Sequence, residues 1–305
     1  MKLVIVVPCY NEEEVLAETT RQLSSVVDEL LSDGKIDEGK ILYVDDGSRD
    51  RTWELIRGFS ETHPSVTGLK LAHNVGHQQA LWAGLEWAAS HADAAVSIDA
   101  DLQDDVRSIV GMVDAWRGGA DIVYGVRRER TTDTFFKKNT AQAFYKLMNA
   151  LGGDIVYNHA DFRLMSRKMT DAVLSMAEYN RFSKGIFSWV GFKTKWIDYK
   201  NVERVAGTTK WNFWGLLKYS IEGIVGFSTA PLLMAAGLGL AFCVLAFVGI
   251  IIVVVRALMF GGPTSGWPSL VCIILLCSGV QLLCTGIAGE YLAKTYLETK
   301  HRPIY

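Results

Sequence analysis

Between Ile224 and Met259 the chain carries a single charged residue, Arg256, and a second apolar stretch runs from Pro268 to Ala293. Each is long enough for the roughly 20 residues that a bilayer-crossing helix needs, so the carboxyl-terminal part is expected to span a membrane twice. The segment between them, Phe260-Gly261-Gly262-Pro263-Thr264-Ser265-Gly266-Trp267, is short and uncharged. Lys210 and Lys218 precede the first span, and Lys294, Lys300 and Arg302 follow the second. Positive-inside bias therefore predicts a hairpin with both ends in the cytoplasm, Arg256 snorkelling at the loop end and Glu290 at the interface.

The preceding residues are composed differently. Counting Lys and Arg against Asp and Glu gives 10 against 22 over residues 1–125, 17 against 9 over 126–222, and 4 against 2 over 223–305. An acidic domain is thus followed by a basic segment placed directly before the apolar spans, which suits anionic headgroups or phosphate ligands. The cysteines at 9, 243, 272, 277 and 284 lack zinc-type spacing and read as reduced thiols. The chain opens on a strand, Leu3 to Val7, without a cleavable leader pattern, so the amino-terminal domain is expected in the cytosol.

Strand-like runs and helical patterns then alternate. After Leu3 to Val7 comes the loop Pro8-Cys9-Tyr10-Asn11-Glu12-Glu13-Glu14 and a helix to about Leu31. Ile41 to Val44 runs into Asp45-Asp46-Gly47-Ser48 and a helix from Thr52 to about Phe59. A strand near Gly68 to Leu71, the loop Asn74-Val75-Gly76-His77-Gln78-Gln79 and a helix to about Ala89 follow. This order predicts a parallel sheet between helices, with the polar loops at one edge.

The next strand ends in carboxylates: Val96-Ser97-Ile98-Asp99-Ala100-Asp101-Leu102-Gln103-Asp104-Asp105. Its carboxyl end is where open α/β sheets bind ligands, and Asp99, Asp101 and Gln103 offer hard oxygens to Mg²⁺ or Mn²⁺. D-x-D is a short pattern, and on these residues alone a metal site and a plain acidic turn stand equal. Asp104 and Asp105 read as acids at the start of a helix over Val106 to Trp116. Asp45-Asp46-Gly47-Ser48 is ordinary turn chemistry when taken alone. His73 and His77, at i and i+4, have no third ligand nearby and read as surface or helix-cap residues. Neither a dinucleotide fingerprint nor a P-loop is present.

Three of these loops together, Pro8 to Glu12, Val44 to Ser48 and Asp99 to Gln103, resemble glycosyltransferase family 2. The resemblance implies an α/β GT-A (Rossmann-like) nucleotide-sugar domain. It further implies that Pro8, Tyr10, Glu12, Val44, Asp46 and Ala100 line the nucleotide sugar, and that Asp99, Asp101 and Gln103 hold a metal on its diphosphate. Further on, Asp161-Phe162-Arg163-Leu164-Met165-Ser166-Arg167 and Arg204-Val205-Ala206-Gly207-Thr208-Thr209-Lys210-Trp211 are similar to the polyprenyl-phosphate branch of that family, which includes dolichyl-phosphate mannose synthases and bactoprenol glucosyltransferases. That likeness spans essentially the whole chain. It implies that Arg127, Arg204 and Lys210 contact donor or lipid phosphates and that Asp161 lies beside the reacting sugar. Arg163 and Arg167 read instead as partners of loop-positioning carboxylates.

The expected organisation is a catalytic domain over 1–209, a juxtamembrane helix over 210–227, spans over 228–259 and 268–293 around an extracytoplasmic loop 260–267, and a cytoplasmic tail 294–305. Phe136, Phe144, Leu147 and Met148 share one face of a helix over about 134–151, which either lies in the membrane interface or packs on the domain. The resemblance implies an inverting transfer of a hexose, glucose from UDP-glucose by the nearest likeness, to undecaprenyl phosphate in a bacterial cytoplasmic membrane. Homo-oligomers such as tetramers are familiar in that branch, and nucleic acid is not an expected partner. A processive polysaccharide synthase would carry a Q-x-x-R-W motif and more spans. An enzyme with a soluble acceptor leaves the basic loop and the spans without a purpose, and a non-catalytic scaffold leaves the D-x-D without one.

Overall fold

The computed structural model describes residues 1–127, 159–199 apart from 177, 180 and 182, 223–260 apart from 227, and 266–305 apart from 304. It divides into two compact units, Met1–Ser220 with Arg302–Tyr305, and Ile221–His301.

The first unit is built on strands β1 (Lys2–Cys9), β2 (Glu38–Asp45), β3 (Val66–Lys70), β4 (Ala94–Ser97), β5 (Ile122–Arg127), β6 (His159–Ser166) and β7 (Thr194–Tyr199). Its helices are α1 (Leu16–Ser32), α2 (Thr52–Thr62), α3 (His77–His91), α4 (Ser108–Arg117), α5 (Arg167–Leu174) and α6 (Ser183–Trp189). The strands form one sheet in the order β3-β2-β1-β4-β6-β5-β7. β1 is apolar along its length and almost wholly buried because helices cover both faces of the sheet, as a central parallel strand requires. α1 instead buries one stripe, Leu16, Thr19, Leu23, Val26, Val27 and Leu30, the spacing of an amphipathic helix.

The sequence predicts a parallel sheet; the sheet is mixed. β6 runs antiparallel between β4 and β5, whereas the remaining pairs are parallel. Its alternation (Asp161, Arg163 on one face; Phe162, Leu164 on the other) gives it two buried faces, so it fits inside the sheet beside β4. The strand after Arg127 thus returns in the opposite direction and carries Asp161 to the sheet's ligand edge.

Glycine is needed where the chain packs too closely for a Cβ, as at Gly84 and Gly47. α3 lies so near the sheet that a Cβ on Gly84 would meet Val6 Cγ1 at 2.3 Å. At Gly47, φ is +68° and a Cβ would meet the Asn74 backbone nitrogen at 2.7 Å, so only glycine turns the chain there.

In the second unit α7 (Ala230–Phe260) and α8 (Trp267–Glu298) are two long helices, of which Ala230–Arg256 and Ile273–Glu298 are long and apolar enough to cross a membrane. Leu233, Leu240, Phe247, Ile252 and Val253 on α7 and Leu275, Leu282 and Leu292 on α8 are exposed. α8 meets α7 where Cys284 Sγ lies 3.7 Å from the Ala235 carbonyl, and the Tyr291 hydroxyl donates to the carbonyl of Ser228, two residues before α7. Among the described residues, Cys9, Cys243, Cys277 and Cys284 are free thiols.

Candidate functional site

Three loops meet at the carboxyl edge of the sheet because β1, β2 and β4 are parallel and in register, Cys9 opposite Asp45 and Val6 opposite Ser97. The first two loops are stitched together. The backbone N–H groups of Asn11, Glu12 and Glu13 donate to Ser48 Oγ (3.0 Å), Thr52 Oγ1 (2.9 Å) and Asp50 Oδ2 (3.2 Å). In return, the Arg49 N–H donates to Asn11 Oδ1 at 2.8 Å, and Arg51 donates from its backbone and Nε to Glu13 Oε2, both at 3.1 Å. Asn11 adopts φ +55°, a conformation that asparagine tolerates better than most residues.

The two aspartates of the second loop do different work. Asp45 is buried and its Oδ1 accepts the Ser48 N–H at 3.1 Å, a side-chain-to-backbone bond that closes the D-D-G-S turn. Asp46 is buried as well, and its Oδ1 and Oδ2 accept the backbone N–H groups of Val75 (2.7 Å) and Gly76 (2.9 Å). Burial raises the Asp46 carboxyl above its ordinary range, and those two bonds oppose the rise. Asp46 therefore ties the β2 loop to the turn that opens α3.

The third loop carries the carboxylates. Asp99 follows β4 by two residues, recessed but with 39% of its side chain accessible. Burial pushes its carboxyl up to about 6; His77 opposes this, whereas the charges of Asp161, Asp104 and Asp101 add to it. Asp101 Oδ1 accepts the Gln103 N–H at 3.2 Å, and the intervening Leu102 is buried with φ +55°. A buried leucine in the left-handed region is strained, and such strain is characteristic of functional loops. Asp104 is buried and accepts a hydrogen bond from the Tyr199 hydroxyl at the end of β7. It is therefore an anchor within the fold, not only an acid at a helix start.

These observations test the site for a divalent cation. Among the described residues no three His, Cys, Asp or Glu side chains converge as a complete metal cluster. The donors present are hard oxygens, the carboxylates of Asp99 and Asp101, with Gln103 two residues further along the same loop. The charges of Asp161, Asp104 and Asp101, which add to the effect of burial on Asp99, are what a cation would oppose. Such donors would suit a hard divalent cation such as Mg²⁺ or Mn²⁺ better than a softer metal.

The sequence reads His77 as a helix-cap or surface residue, and the structure adds a neighbour. His77 is the first residue of α3, and its Nε2 lies 3.5 Å from Asp99 Oδ1. The signal was its place after a strand in Asn74-Val75-Gly76-His77; the distractor was His73 at helical spacing, which does not share its position. Asp161, on β6, joins the same edge, with its carbonyl accepting Ser97 Oγ at 2.7 Å and its carboxylate bonded to Arg163. Arg167 pairs with Asp171 one turn along α5. Pro8, Tyr10, Glu12, Val44 and Ala100 lie on or beside the same strand ends. Arg204, Lys210 and the helix expected over about 134–151 lie outside the described residues, as do the side chain of Arg127 and most of the expected juxtamembrane helix.

Residues 4–174 match the family described as Glycosyl transferase family 2, whose loops these are. The chain belongs to that family. Its sheet and strand-end loops are those of a GT-A nucleotide-sugar domain. An uncharacterised glycosyltransferase of Bacillus subtilis, YkoT, is 47% identical over 99% of this chain and 90% of its own length. The prophage bactoprenol glucosyl transferase homolog of Escherichia coli is 40% identical over 100% of this chain and 98% of its own. Among solved structures, glucosyl-3-phosphoglycerate synthase from Mycobacterium tuberculosis, crystallised with Mn²⁺, UDP-glucose and phosphoglyceric acid, has a TM-score of 0.47 at 20% identity, covering 73% of this chain and 77% of that one.

Proposed function

We propose that this family 2 glycosyltransferase moves glucose from UDP-glucose to a polyprenyl phosphate, undecaprenyl phosphate in the first instance, at the cytoplasmic face of a bacterial membrane. The observation that carries this reading is full-length similarity to a bactoprenol glucosyl transferase homolog, in a chain that joins a carboxylate-lined sheet edge to two bilayer-length helices. That union matters because the acceptor is a lipid while the donor is soluble. An enzyme for both must hold its cytosolic site against a bilayer, and integral insertion through 228–259 and 268–293 supplies that restraint.

In this reading Asp99, Asp101 and Gln103 hold Mg²⁺ or Mn²⁺, which when bound would neutralise charge on the departing nucleoside diphosphate. Pro8, Tyr10, Glu12, Val44 and Ala100 line the nucleotide, on loops whose mutual hydrogen bonds reduce the reorganisation needed on binding. Asp46 holds the α3 turn against them. The acceptor phosphate is mostly ionised near neutral pH, its second pKa being about 6, so no strong general base is required. What the reaction needs is two anions brought together. Arg127, Arg204 and Lys210 perform that task, and Asp161 orients the reacting partners as a weakly basic carboxylate. Attack by the phosphate oxygen on the anomeric carbon, opposite the departing diphosphate, inverts the configuration.

The test is transfer by the purified chain with undecaprenyl phosphate, Mg²⁺ or Mn²⁺ and a panel of radiolabelled UDP- and GDP-sugars, with Asp101→Ala as control. The expected result is metal-dependent label in the lipid phase from UDP-glucose, at least about 100-fold weaker in the variant. Release of nucleotide without labelled lipid would remove the acceptor assignment. Labelling from another sugar alone would replace glucose.

A further inference from the structure

Asp161 is held by an arginine that has no surface of its own. Arg163 is completely buried, and its Nη2 donates to Asp161 Oδ1 at 2.5 Å. Residues i and i+2 of a strand share a face, so β6 itself delivers the guanidinium and the carboxylate to the same side of the sheet. Phe162, between them, turns into the opposite layer and meets Tyr199 edge to face, with ring centroids 5.5 Å apart.

The rest of the guanidinium is enclosed by aromatic rings. Its Cζ lies 4.0 Å from the centroid of Phe187 on α6 and 5.7 Å from that of Tyr124 on β5. Phe187 packs in turn on Trp82 of α3, with ring centroids 5.5 Å apart, and Arg181 lies over that indole at 5.0 Å. Arg163 Nε and Nη1 are buried with no hydrogen-bond partner among the described residues. An arginine so placed gives up most of its hydration for one carboxylate and two ring faces, which is costly where methionine or leucine would fill the space. Such a cost is intelligible if the geometry of that one carboxylate matters. The ring faces contribute by holding a cation and by leaving the fork a single direction to point.

We propose that Arg163 is a positioning residue for glycosyl transfer: clamped by Phe187 and Tyr124, it fixes the place and orientation of the Asp161 carboxylate at the reacting centre. This rests on the reading of Asp161 above. It assigns α6, which contributes none of the strand-end loops, a supporting role through Phe187. Asp161 is doubly tethered, by its carbonyl to Ser97 on the strand leading to Asp99 and by its carboxylate to Arg163, so the clamp fixes it relative to the metal-binding loop.

A double-mutant cycle on the full-length enzyme separates this role from mere packing. Transfer rates from UDP-glucose to undecaprenyl phosphate are compared for wild type, Arg163→Met, Arg163→Lys, Asp161→Asn and the Arg163→Met/Asp161→Asn pair, with thermal melting on each. Arg163→Met is expected to lower kcat roughly 10- to 100-fold while leaving KM for the donor within about twofold, and Arg163→Lys to recover part of the loss. In the Asp161→Asn background Arg163→Met is expected to cost nothing further. Equal losses in both backgrounds, or unchanged kcat, would overturn the proposal. If Arg163→Met does not fold, Phe187→Leu keeps the guanidinium and removes its main ring face; the same cycle then expects a smaller loss that vanishes in Asp161→Asn. An Asp161→Asn enzyme as active as wild type overturns the Asp161 reading and this inference with it, whereas a wild type that transfers no sugar overturns the proposed function itself.

Discussion

The hydroxyl of Tyr199, at the end of β7, donates to the carboxylate of Asp104, and both residues are buried. Asp104 belongs to the loop that presents Asp99 and Asp101, while Tyr199 is the last residue of β7, five residues before Arg204 in the sequence. One hydrogen bond therefore ties the carboxylate loop to the sheet's far edge strand. Tyr199→Phe keeps the ring against Phe162 and Gly125 but removes the donor. Hydrogen bonds to charged groups contribute about 1.5–3 kcal/mol, so a lower Tm and weaker Mn²⁺-dependent nucleotide binding are expected. Both are measured in one preparation by melting with and without Mn²⁺ and UDP; an unchanged Tm would show the bond to be dispensable.

Asp46 permits a second test, because its two oxygens both act as acceptors. Asp46→Asn replaces one acceptor by an NH₂ group facing a backbone N–H, so either Val75 or Gly76 loses its partner inside the protein. The expected cost is about 1–3 kcal/mol of stability, with loosened placement of His77 beside Asp99. Asp46→Glu, which keeps the charge but lengthens the arm, is expected to be little better. Hydrogen exchange at the amides of Val75 and Gly76 reads the effect directly, and continued protection in Asp46→Asn would contradict it.

How far the site could be read in advance differs between its parts. The strand ends carrying Asp46, Asp99 and Asp101 were legible because each apolar run stops at a carboxylate, and that contrast is local. The antiparallel insertion of β6 was not, since strand direction depends on which neighbour completes the hydrogen-bond ladder, and His159–Ser166 looks the same read either way. The partners of Asp46 and Asp104 were hidden for a related reason. Val75 and Gly76 offer only backbone N–H groups, and Tyr199 lies 95 residues from Asp104. His77 was legible as a helix-cap or surface residue and does open α3, but not as a neighbour of Asp99, because that contact exists only once β3 and β4 flank the central strands.

Cys9 has a pH dependence of definite sign. It is buried at the end of β1, and its thiol is raised well above 9.0 by burial and then by the charges of Glu12, Asp45, Asp99 and Asp50. A group raised in the folded state favours folding fully below its ordinary pKa. That contribution is lost as the pH climbs past 9.0 toward the raised value. Native protein at pH 8 is therefore expected to leave Cys9 unmodified by iodoacetamide while denatured protein is alkylated there, as read by peptide mass spectrometry. Rapid labelling of Cys9 in the native state would mean that the loop above it opens.

The two apolar helices make the final prediction. Exposed side chains such as Leu240, Phe247, Ile252 and Leu282 line α7 and α8, and the hydrophobic effect would not leave so much apolar surface in water. The span Ala230–Arg256 alone is about 40 Å long at 1.5 Å per residue, enough for a hydrocarbon core of about 30 Å with some tilt. The protein is therefore expected to remain in the membrane pellet through washes with alkaline carbonate and high salt, and to be released only by detergent. A bilayer-surface attachment resting on the basic residues between 126 and 222 would behave oppositely, since charge attraction is screened by salt. Replacing Leu240 and Phe247 with lysine distinguishes the two further: insertion should fail and the chain should be degraded or released, whereas a surface-held protein would keep its distribution.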